Sequence, residues 1–331
     1  MSRSKDAGAC ALPNLMDLHR YSEADWRGIF ASRPEAAVTW VRFAAGHGFR
    51  AAQLVLGQMH LDGHGVARDP EAAYRWFVKA AAIGSVEARN MVGRCHELGW
   101  GVPVDHAEAL VHYRKAAAAG LDWGHYNVGC LLLYGTGIRR DHAQAFRHLA
   151  AAAEQDHAKA MGMLGRCHEE GWGTPVDRAT ASRLYRAAAE GGDCWGALNL
   201  ALMLAEAGET DEAVRMLERA RATATPNCLD MIARTLVRHP SAAIAAIGQA
   251  AERACPGGDV PRHRFPAGNH DARPLGPVAE RAKLIGRPGS GLLNLAVALG
   301  AALQTVMGLR RFWTAGTGAR PEGATPPLAR S

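Results

Sequence analysis

The sequence predicts an all-α fold, an α-solenoid of antiparallel helix pairs repeated every 36 residues, and three observations carry that prediction. One stretch is written twice, GRCHELGWGVPVD from Gly93 to Asp105 and GRCHEEGWGTPVD from Gly165 to Asp177, 72 residues apart. Halving that offset aligns the rest into columns: Gly57, Gly93, Gly129 and Gly165; the Gly-x-Gly pairs at 63/65, 99/101, 135/137 and 171/173; and Asp69, Asp105, Asp141 and Asp177. Ala and Leu are abundant and β-branched residues sparse, which favours helix over strand. A fixed period of this size marks stacked units, none of which buries its apolar face without a neighbour.

Taken in order, residues 1–32, with Trp26, Ile29 and Phe30, read as an N-terminal cap. Residues 33–48 place Pro34-Glu35-Ala36-Ala37, Trp40 and Ala44-Ala45 one period ahead of Pro70-Glu71-Ala72-Ala73, Trp76 and Ala80-Ala81, so they form the second helix of a worn first repeat. Four well-marked repeats follow at 49–84, 85–120, 121–156 and 157–192. In each, a first helix carries apolar residues three and four apart and a small residue of the Gly57 column, which lets another helix come close. The Gly-x-Gly pair ends that helix, because glycine takes the left-handed conformation without strain. Val66, Val102, Ile138 or Val176 then tucks the loop against it. The Asp column caps the second helix, and Glu108 and Gln144, three residues on, predict a capping box in two repeats.

A fifth unit over 193–223 keeps the helix pair but loses the glycine loop, completing a solenoid over 33–223. Two helices near 227–238 and 241–254, punctuated by Pro226 and Pro240, read as a C-terminal cap over 224–255. From Pro256 the composition breaks: nine of the sixteen prolines fall in the last 76 residues, so 256–331 reads as a mostly disordered tail. Within it, Pro288 to Leu309 is free of charges and long enough to span a membrane. Its polar Asn294, Gln304 and Thr305, and a Leu face of Leu292, Leu295, Leu299 and Leu303, favour a helix over 291–312 that docks on protein or stays loosely ordered. An interfacial helix and a membrane span rank behind that reading, so membrane contact through the tail is not favoured.

The net charge of +6 belongs to the tail, where ten Lys/Arg meet four Asp/Glu; before it 28 of each sign cancel. No phosphate-tracking basic stripe is expected, and no nucleic-acid partner. Seven cysteines at no recurring paired spacing, and no apolar core of a secretory signal, point to the cytoplasm.

With its columns in place the chain resembles the Sel1-like repeat family, helical repeats similar in shape to tetratricopeptide repeats and represented among short bacterial proteins. Ala52, Leu56-Gly57, Gly63-His64-Gly65-Val66, Asp69, Ala73, Trp76-Phe77 and Lys79-Ala80-Ala81 carry the resemblance best, and it covers about 33–222. It implies a right-handed superhelix whose first helices line a concave binding surface, and a scaffold or adaptor role in protein binding. Where the family pattern has an aromatic on the first helix, this chain has His60, His96, Leu132 and His168. The disulfide-linked form of the family is not supported, because Cys95 and Cys167 lack the regularly spaced partner cysteine.

Motif chemistry argues against catalysis, and no cofactor is expected. His96-Glu97 and His168-Glu169 open like a zinc-protease motif, but Trp100 and Trp172 stand where its second His belongs. Gly286 to Gly291 is followed by Leu292-Leu293 where a phosphate loop requires Lys and Ser/Thr. Cys95 and Cys167 read as small buried hydrophobes, although a metal-handling or enzymatic use of the Cys/His/Glu positions is the rival reading. The candidate partner-binding residues are His60, Arg94, His96, Trp100, Arg166, His168 and Trp172, a ladder suited to an acidic or aromatic peptide. Two readings stay open at Trp100 and Trp172, lying over a neighbouring repeat or standing out as anchors. For Arg94 and Arg166 they are a groove contact or a solvated helix-face charge.

Overall fold

The computed structural model describes residues 34–135 and 137–254, with side chains from Val38 onward. The described residues hold thirteen α-helices and no strand, and the chain falls into two compact units whose described parts are 34–69 and 70–254. The expected N-terminal cap over 1–32 and the tail from Pro256, with its helix at 291–312, lie outside the described residues. None of the described helices is long and apolar enough to cross a membrane.

The first unit pairs α1 (Pro34–Gly46), the expected worn second helix, with α2 (Arg50–Asp62). The second unit runs α3 (Pro70–Ala82), α4 (Val86–Leu98), α5 (His106–Ala118), α6 (Asp122–Tyr134), α7 (His142–Ala153), α8 (Ala158–Glu170), α9 (Arg178–Glu190), α10 (Cys194–Glu206) and α11 (Thr210–Ala222). It ends in α12 (Pro226–Leu236) and α13 (Ala242–Ala254). Even-numbered helices up to α10 are the first helices of the repeats, and in the second unit each of α4, α6, α8 and α10 packs between the second helices before and after it. From α9 to α13 one apolar cluster is continuous, with Leu217, Ile232, Leu236 and Ile244 all buried in it.

Local chemistry sets the helix ends. Asp105, Asp141 and Asp177 accept hydrogen bonds from the backbone N–H groups of Glu108, Gln144 and Thr180 at 3.0, 2.8 and 2.9 Å, satisfying a donor that the helix leaves open. The predicted capping boxes do not close. The N–H of Asp105 and of Asp141 already donates to the carbonyls of His96 and Leu132 at 2.8 and 3.0 Å. Glu108 therefore turns to His112 Nε2 at 3.3 Å, while the Gln144 amide donates to Asp141 Oδ2 at 2.7 Å. The loop reading also needs a correction at Val176, which is 62% exposed. Thr174 occupies the place of Val102, and Val176 matches Val104, 55% exposed.

Two contacts set the spacing of the helices. Within a repeat, a Cβ on Gly93 would come within 2.8 Å of the Tyr113 ring, one on Gly129 within 2.6 Å of Leu149, and one on Gly165 within 2.9 Å of the Tyr185 ring. Between repeats, a Cβ on Gly101 would lie 2.3 Å from the Pro70 carbonyl oxygen, and one on Gly173 2.3 Å from that of His142. The second glycine of the loop thus lays its backbone on the start of the preceding second helix. Gly101→Ala is expected to lower stability by about 2 kcal/mol or more, because backbone must move. Urea unfolding of the full chain measures it, and an unchanged midpoint would show that the joint yields.

At the ends of the second helices, Gly84, Gly120 and Gly192 take positive φ, and Asp156 holds the same place at φ 59°. Asp156 is the one described residue other than glycine with positive φ. Asp156→Gly is expected to stabilise the chain by about 0.5–1 kcal/mol, left-handed strain outweighing the entropy of the added glycine. Thermal unfolding of the variant beside wild type reads the sign.

Candidate partner-binding face

The repeated motif folds as a unit. Gly93 seats the Tyr113 ring, and the fully buried Tyr113 donates its hydroxyl hydrogen to Glu97 Oε2 at 2.5 Å. Arg94 is 4% exposed, and its guanidinium lies 4.9 Å over the Trp100 ring. The second copy repeats these relations: Tyr185 to Glu169 Oε2 at 2.6 Å, and Arg166, 4% exposed, 4.9 Å over Trp172. A buried guanidinium is costly unless charge and hydrogen bonds compensate it. Burial pushes the Arg94 pKa down, while Tyr113 and Glu97 act to hold it up.

The structure separates the candidates that the sequence groups in one ladder. Positions i and i+2 on a helix lie on opposite sides, and Arg94 and His96 follow that rule. On the first-helix side, Arg166 Nη1 donates to the Tyr134 hydroxyl at 3.5 Å across to α6. Asn127 donates to Asn90 Oδ1 at 3.0 Å, joining α6 to α4. On the other side, His96 meets second helices: the Tyr74 hydroxyl at 3.4 Å from Nε2, and the His112 ring stacked at 5.8 Å. His168 meets Phe146 edge-on at 5.4 Å. The Nδ1 atoms of His60, His96 and His168 are buried without a hydrogen-bond partner. These rings therefore serve as flat fillers where the family pattern has an aromatic. His60 belongs to the first unit, and His96 and His168 to the second.

Trp100 and Trp172 are half-buried. Trp172 also packs at 5.8 Å on His142, at the start of the preceding second helix. Each indole thus covers an arginine, and Arg94 and Arg166, both buried, are not solvated helix-face charges. Cys95 and Cys167 are fully buried, with their thiols pushed up to about 12 by burial. They are protonated at neutral pH, and a metal ligand or nucleophile must be a thiolate. Among the described residues no group of three or more His, Cys, Asp or Glu is arranged to hold a metal ion.

Sequence reasoning passed over another column of the first helices: Glu87, Trp123, Lys159 and Trp195, all half-buried. Trp123 packs edge-on against Tyr126 at 5.7 Å and His157 at 4.5 Å. The signal was present in the period, since this column changes residue at every repeat while the motif columns stay constant.

The second-helix side holds a histidine pair that no column announces: His125 Nδ1 lies 3.1 Å from His148 Nδ1. Burial, then His125, Arg114 and Arg147, push His148 down to about 4. Its folded pKa lies below the unfolded value of about 6.5. The stability contributed by the neutral ring is therefore present above about pH 6.5 and is lost as pH falls toward 4. Urea titrations at a series of pH values should show a weaker loss over that window in His148→Gln than in wild type.

A family model described as Sel1 repeat matches residues 50–85, 86–121, 124–157 and 158–193. Among solved structures the chain is similar to a protective antigen of uropathogenic Escherichia coli strains displaying an SLR fold, at 25% identity and TM-score 0.55. That match covers 73% of this chain and 56% of the antigen, so the chain spans little more than half of that relative's length. It is also similar to a Sel1 repeat protein from Oxalobacter formigenes, at 23% identity and TM-score 0.60, over 70% of this chain and 99% of that one. A search of curated proteins found no match.

Proposed function

Residues 50–193 of this chain carry four consecutive Sel1 repeats, and from that premise we propose that the protein is a non-catalytic scaffold binding a protein segment along its first helices. The observation that carries this reading is the changing column of Glu87, Trp123, Lys159 and Trp195, half-buried beside constant joints. Alternating aromatic and charged positions one repeat apart suit an extended segment that places an apolar residue at each Trp and opposite charges at Glu87 and Lys159. Trp100 and Trp172, both half-buried, border this face, and Arg94 and Arg166 act by holding those indoles in place. His96 and His168, turned toward the second helices, take no part in it. The protein works in the cytoplasm and needs no cofactor.

Lysine placement makes the face readable. In the described residues Lys159 lies on a first helix, while Lys79 and Lys115 lie on second helices. Amine-reactive crosslinking mass spectrometry on protein purified from its own cells is expected to join a partner through Lys159. A Trp123→Ala/Trp195→Ala variant that stays folded should lose that crosslink. A partner joined only through Lys79 or Lys115, or retained by the double variant, would move the binding face elsewhere.

A further inference from the structure

The histidine pair of the third repeat lies outside the proposed binding face. His125 is on α6 and His148 on α7, and their rings meet at 5.1 Å between centroids with both Nδ1 atoms converging to 3.1 Å. Two imidazole nitrogens on one transition-metal ion, at about 2.0–2.1 Å from it and subtending 90–109°, are separated by roughly 2.9–3.4 Å. We propose that His125 and His148 form a two-histidine site for a borderline divalent ion of the Ni2+, Cu2+ and Zn2+ class, with water completing the coordination.

The same positions in the adjoining repeats are Arg89 with His112 and Met161 with Leu184, so the pair is confined to one repeat. The helices that carry it are fixed at close range, since a Cβ on Gly129 of α6 would come within 2.6 Å of Leu149 on α7. The two side chains are therefore carried on helices of fixed close spacing, and their Nδ1 atoms meet at 3.1 Å. Both rings are half-exposed, which leaves a way in for an ion and room for water. An all-imidazole donor set selects this class over Ca2+ and Mg2+, which take oxygen ligands. Without an ion, one ring donates its Nδ1–H to the other Nδ1. Binding moves that proton to Nε2 of the same ring, so two neutral rings bind without releasing a proton. Arg114 and Arg147 lie close enough to hold down the proton affinity of His148, and the same charges limit the affinity for a dication.

Isothermal titration of the full chain with Ni2+ alone tests the site, with Mg2+ as the control ion. The chain has fifteen histidines, so the readout is the tightest site at one ion per chain. His125→Gln and His148→Gln are each expected to weaken that site by roughly tenfold or more. Arg147→Gln, at an exposed position, is expected to leave the fold intact and tighten the site several-fold. Unchanged affinity and stoichiometry in either histidine variant overturns the assignment, and so does equal or weaker binding in Arg147→Gln.

Discussion

The close seating of each glycine loop on the preceding second helix is the contact on which the rest of the second unit depends. At Gly101 and Gly173 the place of a side chain is taken by a carbonyl oxygen of the earlier repeat, 2.3 Å away. Once the loop is laid down there, the tryptophan between its two glycines has little freedom left. It stands over the arginine of its own first helix, at 4.9 Å in both copies. Arg94, so covered, lies close enough to Glu97 to feel its charge, and Glu97 and Glu169 each accept the hydroxyl hydrogen of the buried tyrosine of the next helix. A backbone contact thus fixes an indole, the indole covers a charge, and the charge is compensated by a tyrosine-linked carboxylate. Loss of any one member leaves a buried polar group behind, which costs more than the missing contact alone.

A stack of like units divides its residues into joints and faces. A joint residue touches both neighbouring helices, so each repeat presents it with the same surroundings and the same side chain fits every time. A face residue meets whatever binds, and nothing in the stack fixes its identity. Gly93, Arg94, Cys95 and Glu97 behave as joints, in spite of a composition that suggests metal or acid–base chemistry. Glu87, Trp123, Lys159 and Trp195, at one position of successive first helices, instead change residue from each repeat to the next.

Much of the fold was legible because its determinants are local. Left-handed φ at Gly99 and Gly171 and the Asp caps depend on a few adjacent residues, and the period shows where those residues recur. The site was less legible. Arg94 and His96 are neighbours in the string but lie on opposite sides of α4, and reading both into one ladder ignored the rotation of the helix. The capping box at Asp105 failed for a different reason: its N–H was already taken by the His96 carbonyl of the preceding helix. That partner lies outside the short stretch in which such boxes are read. The His125–His148 pair was hidden because His125 stands alone in its column, between Arg89 and Met161, although His112 precedes His148 in the other.

The end of the array follows from the same contact. The fifth unit joins α10 to α11 through Ala207, Gly208 and Glu209, without a glycine pair, and Glu209 makes no side-chain cap on α11. A loop so short has no second glycine to lay on the start of α9. In its place Arg178 Nη2, on the first turn of α9, pairs with Glu206 Oε2 of α10 at 2.6 Å, and Arg186 Nη1 pairs with Glu212 Oε1 of α11 at 2.6 Å. Ion pairs of this exposure contribute at most about 1 kcal/mol each, so they do not replace a dry backbone joint. Apolar burial supplies the difference, since Cys194, Leu198 and Leu217 share one core with Ile232, Leu236, Ile244 and Ile247 of the last two helices. Where the glycine joint stops, side-chain packing takes over, and α12 and α13 close the stack by covering what a sixth repeat would have covered.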